Sequence, residues 1–192
     1  MIYKKHDPKG VDIPVQNHQI ELHKHCKEMW KLSDEKIHAF GRIYRNQTTS
    51  GYIPEFYDGD GKYKEVLLDT HNAVQFFYGD NNTPESMDKP GVYVRDMHLV
   101  MMVNLEEIRK NVKHRPDVEA QLDVLRMVEI EMFGMTLNSG VIRGVQRVFE
   151  EYPGMAQESI KYTSDMHPWH CFRFNLRLKY KHTTSFTKPS KN

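Results

Sequence analysis

The sequence predicts an α+β fold: a mainly antiparallel sheet with helices packed on one face, carrying long loops and terminal arms. Three observations point there. Residues 170–181 alternate strictly, with His170, Phe172, Phe174, Leu176, Leu178 and Tyr180 on one side of an extended segment and Cys171, Arg173, Asn175, Arg177, Lys179 and Lys181 on the other. Residues 116–132 carry apolar side chains at helical spacing. The run from Leu99 to Val103 is apolar without alternation, which suits a strand covered on both faces.

Taken in order, residues 1–13 are polar and read as an N-terminal arm. Pro14 can open a helix, because the start of a helix has no backbone hydrogen bond for proline to remove. That helix is expected to reach about Leu32 and to bury Val15, Leu22, Cys26, Met29 and Trp30. Ile37 to Tyr44 and Lys64 to Leu68 read as strands around a loop near residues 46–63, whose Gly, Pro and Asp content marks turns. Val74 to Tyr78 is a further short strand, followed by a second turn-rich loop at residues 79–91. Val92 to Val103 reads as the central strand.

Pro116 to Met132 is expected to be a helix, with Asp117 and Glu119 favourably placed in its first turn and Val118, Leu122, Leu125, Val128 and Met132 along its inner face. The segment Val141 to Glu151 fits both periods: Val141, Val145, Val148 and Phe149 suit a helix, while its β-branched residues suit a strand. The alternating strand follows, and residues 183–192 form a polar tail. The expected organisation is therefore one domain over residues 14–182, flanked by an arm and a tail.

At 192 residues the chain can bury one real core. Its hydrophobic share of 39% is low for a tightly folded monomer, so part of it is expected to order against neighbours. A net charge of +1 offers no global attraction for nucleic acid, and any contact with a polyanion must be a local patch. Two cysteines exclude a disulfide scaffold. The N-terminal MIYKKHDPKG has no apolar run after its charges, so cytoplasmic synthesis without a signal peptide is expected. No stretch approaches the roughly 20 apolar residues of a membrane-spanning helix.

Two His/Cys groups, His18, His23, His25 and Cys26, then His167, His170 and Cys171, raise the question of zinc. A tetrahedral site needs ligands that converge at about 2.0–2.3 Å. On a helix, however, His23 and His25 point about 200° apart. The spacing matches no zinc pattern, and hydrogen-bonded or solvated histidines are expected instead, with no metal and no other cofactor. The window Asp58 to Asp69 begins like a calcium loop, but Lys62 and Tyr63 stand where an oxygen ligand and a glycine are required, so a hairpin turn is expected. Neither a nucleophile elbow nor a phosphate-cradling or dinucleotide loop occurs. Cys171 and His170 fall on opposite faces of a strand and cannot pair as nucleophile and base. No catalytic residues are expected. What remains is the basic row Arg173, Arg177, Lys179 and Lys181, either a solvated face or a wall facing acidic partners or passing nucleic acid.

Four segments, VYVRDMHLVMMVNLEEI, KHRPDVEAQLDVLRMVE, GVIRGVQRVFEEY and DMHPWHCFRFNLRLKY, together resemble tail-completion or tail-terminator-like neck proteins of tailed bacteriophages, including the crAss-like group. The resemblance covers about the last hundred residues. It implies a virion protein, made in the host cytoplasm, that forms a six- or twelve-fold homo-oligomeric ring between the portal or adaptor ring and the tail. Such a ring has no active site and meets genomic DNA only transiently. On that basis most of the Arg173 to Lys181 row is expected to face acidic residues of adjacent subunits or rings. The competing readings are a small monomeric adaptor that binds nucleic acid or protein, and, further off, a metal-dependent enzyme.

Overall fold

The computed structural model describes residues 1–58, 61–81, 83–112, 117–129, 133–158 and 168–181. The chain folds in the α+β class, around a seven-stranded sheet that is antiparallel except at one edge. Its strands are β1 (Ile37–Arg42), β5 (Val74–Asp80), β6 (Ser86–Lys89), β7 (Val92–Asn104), β8 (Met135–Leu137), β9 (Ile142–Arg143) and β10 (Trp169–Tyr180). They run in the order β1-β5-β7-β10-β8, with β6 added to β7 and β9 to β10. Among the strands of the described residues only β1 and β5 are parallel to each other.

The spine of the sheet is the β7–β10 ribbon, paired without interruption from Trp169 opposite Asn104 to Tyr180 opposite Tyr93. The alternation of the last strand appears as expected: Phe172, Phe174, Leu176, Leu178 and Tyr180 enter one core with Met97, Leu99, Met101 and Val103. Leu99 to Val103 are all buried, because the sheet is covered on both sides there.

Helix α1 (Asp12–Trp30) lies on that first face. It begins two residues before Pro14, which sits in the first turn, where its missing N–H costs nothing. It stops at Lys31, whose left-handed backbone (φ 52°) returns its N–H to the Lys27 carbonyl. Val15, His18, Leu22, Cys26 and Trp30 line its inner stripe, whereas Met29 is only partly buried. The short helix α2 (Leu105–Asn111), unexpected from the pattern, is capped by Asn104, whose side-chain oxygen accepts from the N–H groups of Glu106 (3.1 Å) and Glu107 (3.2 Å).

Helix α3 (Asp117–Val128) is present, but its phase differs from the expected one. Ala120, Val124, Met127 and Val128 face inward while Leu122 is exposed. The helix is rotated because two polar residues are buried with partners. Asp123 accepts from the Trp30 indole at 3.1 Å, and Gln121 accepts from Arg143 at 2.7 Å. The side chains of Val118 and Met132 lie outside the described residues, as do residues 183–192 of the expected tail.

The ambiguous segment resolves into both structures, β9 followed by α4 (Val145–Val148). With α5 (Pro153–Glu158) it covers the second face of the sheet, where Val148, Phe149, Tyr152 and Met155 pack against Val100, Met102 and Cys171. Helical cover is therefore not confined to one face. The expected loop at 46–63 is mostly a separate three-stranded sheet, β2 (Tyr44–Thr48), β3 (Gly51–Tyr57) and β4 (Tyr63–Glu65), whose Phe56 joins this second core. The loop at 79–91 contributes β6, which borders β7 beyond the end of β5. The arm over 1–13 is not free. Ile2 pairs with Ala39 of β1 in an isolated parallel bridge, which lays the arm along the edge of β1.

Candidate functional site

The residues of the basic row share one face of β10 but not one environment. At the inner end Cys171 and Arg173 are buried under the α4–α5 segment, Arg173 to 3% exposure, while Arg177, Lys179 and Lys181 at the outer end are exposed. The difference follows from where the cover stops. Each of the first three cations meets an acid of its own chain. Arg173 Nη1 lies 2.7 Å from Glu150, Arg177 Nε 3.0 Å from Asp96 across the β7 ladder, and Lys179 Nζ 3.4 Å from Asp88 of β6. Arg173 also donates through Nε to the Asn175 side chain at 3.1 Å. The hydrogen bond and charge of Asp96 hold the Arg177 guanidinium above its usual value. The acids expected from adjacent subunits are thus supplied within the chain for three of the four cations.

Above Arg173 on the same face sits a buried polar cluster that the sequence does not announce. His98 Nδ1 lies 2.7 Å from the Asn81 side-chain oxygen, and Nε2 lies 3.0 Å from the Tyr152 hydroxyl. An Asn oxygen only accepts, so Nδ1 carries the proton and Nε2 receives the Tyr152 hydroxyl proton. Burial, then the charges of Arg173 and Arg45, keep His98 neutral and well below its ordinary pKa. Burial likewise raises the Tyr152 phenol. Gly79 of β5 makes this possible, since a Cβ there would lie 2.1 Å from the Tyr152 oxygen and 2.2 Å from His98 Nε2. Arg45 pairs with Glu151 and ties the small sheet to the same cover.

An ion-pair chain runs along the neighbouring rim. Lys5 and Arg42 each reach Asp12 at 2.6 Å, Arg42 and Arg95 share Asp80 at 2.9 and 3.3 Å, and Arg95 meets Glu85 at 3.4 Å. Glu85 in turn receives the Tyr180 hydroxyl. Burial would raise the Asp12 carboxyl, but Arg42 and Lys5 outweigh it and hold it below the usual range. No short sequence motif signals this chain, because its seven members are dispersed along the sequence from Lys5 to Tyr180.

The His/Cys groups disperse. His18 is buried against the Tyr78 hydroxyl (2.7 Å), His25 reaches the Asp123 carbonyl (3.2 Å), and burial raises the Cys26 thiol out of the reactive range. His170 contacts Gln121 of α3 on the first face, whereas Cys171 is buried in the second core with a raised thiol. His167 lies outside the described residues. Among the described residues no three His, Cys, Asp or Glu side chains converge as a metal site. Between the antiparallel strands β3 and β4, the Asp58 N–H donates to the Lys62 carbonyl at 3.0 Å and the Asp58 carboxylate pairs with Lys64 at 3.0 Å. No helix among the described residues is long and apolar enough to cross a membrane. The chain matches no protein-family model, no curated protein and no solved structure.

Proposed function

We propose that this chain is a structural subunit of a homo-oligomeric ring in the neck of a tailed-phage virion, joining the portal to the tail around the DNA passage. One observation carries the reading. The segments that resemble neck proteins are not scattered over the fold but form one layered unit, with β7 and β10 paired over twelve positions, β9 added to β10, α4 packed against β10 and α3 on the opposite face. A unit of that kind is what a resemblance of fold, rather than of isolated motifs, requires.

The charge arrangement supports the same reading. A wall past which DNA slides must not grip it, since every phosphate neutralised adds affinity. Here the cations of β10 are offset by Glu150, Asp96 and Asp88 of the same chain. The subunit works through surfaces and has no catalytic step.

The native mass of the purified full chain, alone and with its portal partner, tests the proposal. A discrete assembly of six or twelve copies in either condition is the expected result. A monomer in both conditions across the accessible concentration range overturns it in favour of a small adaptor.

A further inference from the structure

We propose that the outer edge of β1 is a strand-acceptor site and that its occupant in the assembled protein is the N-terminal arm, residues 1–5, of a second copy. The inference rests on the ring reading only in naming a second copy as the donor.

The site is built to hold an extended segment. Ala39 presents both backbone groups of the sheet edge, its carbonyl accepting from Tyr3 N–H at 2.9 Å and its N–H donating to the Met1 carbonyl at 3.0 Å. The Gln19 side-chain amide, itself buried to 1% exposure, donates to the Tyr3 carbonyl at 3.0 Å and to the Ala39 carbonyl at 2.7 Å. A buried amide placed between an arm carbonyl and a strand carbonyl has no partner for half of its task once the arm leaves. The Tyr3 ring enters a slot at the seam of the two sheets, stacked on Phe40 of β1 (5.4 Å, 3°) and against Phe56 of β3 (4.4 Å). Lys5 closes the site, its N–H donating to Gln16 at 2.8 Å and its ammonium bonded to the Tyr44 hydroxyl at 2.8 Å.

Every one of these partners lies on α1, β1, β2 or β3 and is equally available to an arm arriving from another chain. What ties the arm to its own body is only the stretch from His6 to Gly10, whose ion pair between Lys9 and Asp7 is on the surface, with both side chains more than three-quarters exposed. Gly10 has a left-handed backbone (φ 54°), a conformation that lets the link redirect the arm at little steric cost. Own and foreign arms therefore make the same contacts and differ only through loop closure and local concentration. In a ring, where neighbours are held permanently close, the second factor raises the foreign arm towards parity with the tethered one and makes exchange competitive. Leaving the edge empty is the disfavoured state, because β1 would expose unpaired backbone groups and an apolar slot.

Disulfide trapping between Ile2 and Ala39, which face each other across the parallel bridge, tests the proposal in the full chain. Ile2→Cys copies are mixed with Ala39→Cys copies, assembled at high concentration and oxidised. The native thiols Cys26 and Cys171 are buried and do not compete. Exchange shifts the product from monomer to disulfide-linked dimer on a non-reducing gel. The double variant Ile2→Cys/Ala39→Cys, diluted, closes within one chain. An intrachain bond in the double variant without dimer in the mixture overturns the exchange. Failure of both overturns the acceptor site itself. Native mass measured alongside separates the two readings: rings without cross-linking sink only the exchange, and cross-linked pairs without rings sink only the ring.

Discussion

At the scale of single residues, two histidines are held neutral on opposite faces of the sheet, each against a tyrosine hydroxyl: His18 with Tyr78 and His98 with Tyr152. Burial pushes His18 down to about 4 from an ordinary 6.5. The unfolded chain takes up a proton near pH 6.5 that the folded chain refuses until near pH 4. Stability linked to His18 is thus complete above 6.5, drains away as the pH falls towards 4, and falls no further below that. At about 1.4 kcal/mol per pH unit, the loss is on the order of 3 kcal/mol. The Asp12 carboxylate is held below its ordinary 3.8, so its contribution persists through this window and fades only under stronger acid. Urea unfolding of the parent and of His18→Gln at pH 7 and pH 4.5 checks the assignment. The His98 loss is common to both proteins, so the parent is expected to lose more stability than the variant by the His18 share alone, and equal losses would remove His18 from the account.

At the scale of elements, β10 was legible because its dry face is a local property of alternation. Which of its polar residues would be buried was not legible. Arg173 and Arg177 are equivalent in sequence pattern, yet only Arg173 lies beneath the 145–158 segment, and that cover is a tertiary fact. The phase of α3 departs from its sequence pattern for a related reason. Leu122 looks like a core residue and Gln121 and Asp123 look exposed, until Trp30, Arg143 and His170 supply partners from 22 or more positions away in the chain. Strands β2 and β3 were hidden by Pro54 and Gly51, which signal a turn; Pro54 is nonetheless accommodated within β3, opposite Arg45. The contrast along β10 makes a prediction. Arg173→Ala empties a buried site and removes the partner of the Asn175 oxygen, while the half-exposed Glu150 turns to water, costing roughly 2–3 kcal/mol. Arg177→Ala, at the exposed end, leaves the urea midpoint unchanged. Equal shifts for the two variants would contradict the gradient of cover.

At the scale of the whole molecule, near-neutral net charge and a basic strand are reconciled by pairing within the chain. DNA can recruit Arg177 and Lys179 only by displacing Asp96 and Asp88, so the exposed end of β10 is weakly attractive despite its composition. The acids, not any shortage of cations, set that property. Removing them by Asp88→Asn/Asp96→Asn leaves the fold's apolar layers untouched and frees two cations. With about two phosphates newly neutralised, the variant is expected to bind duplex DNA with log K falling against log salt with a slope steeper than the parent's by about 2. Fluorescence anisotropy of a labelled duplex between low and physiological salt reads that slope directly. An unchanged slope would mean that the outer end of β10 does not meet DNA even when its charges are released, and the lumen-facing surface of the proposed ring must then lie elsewhere on the fold.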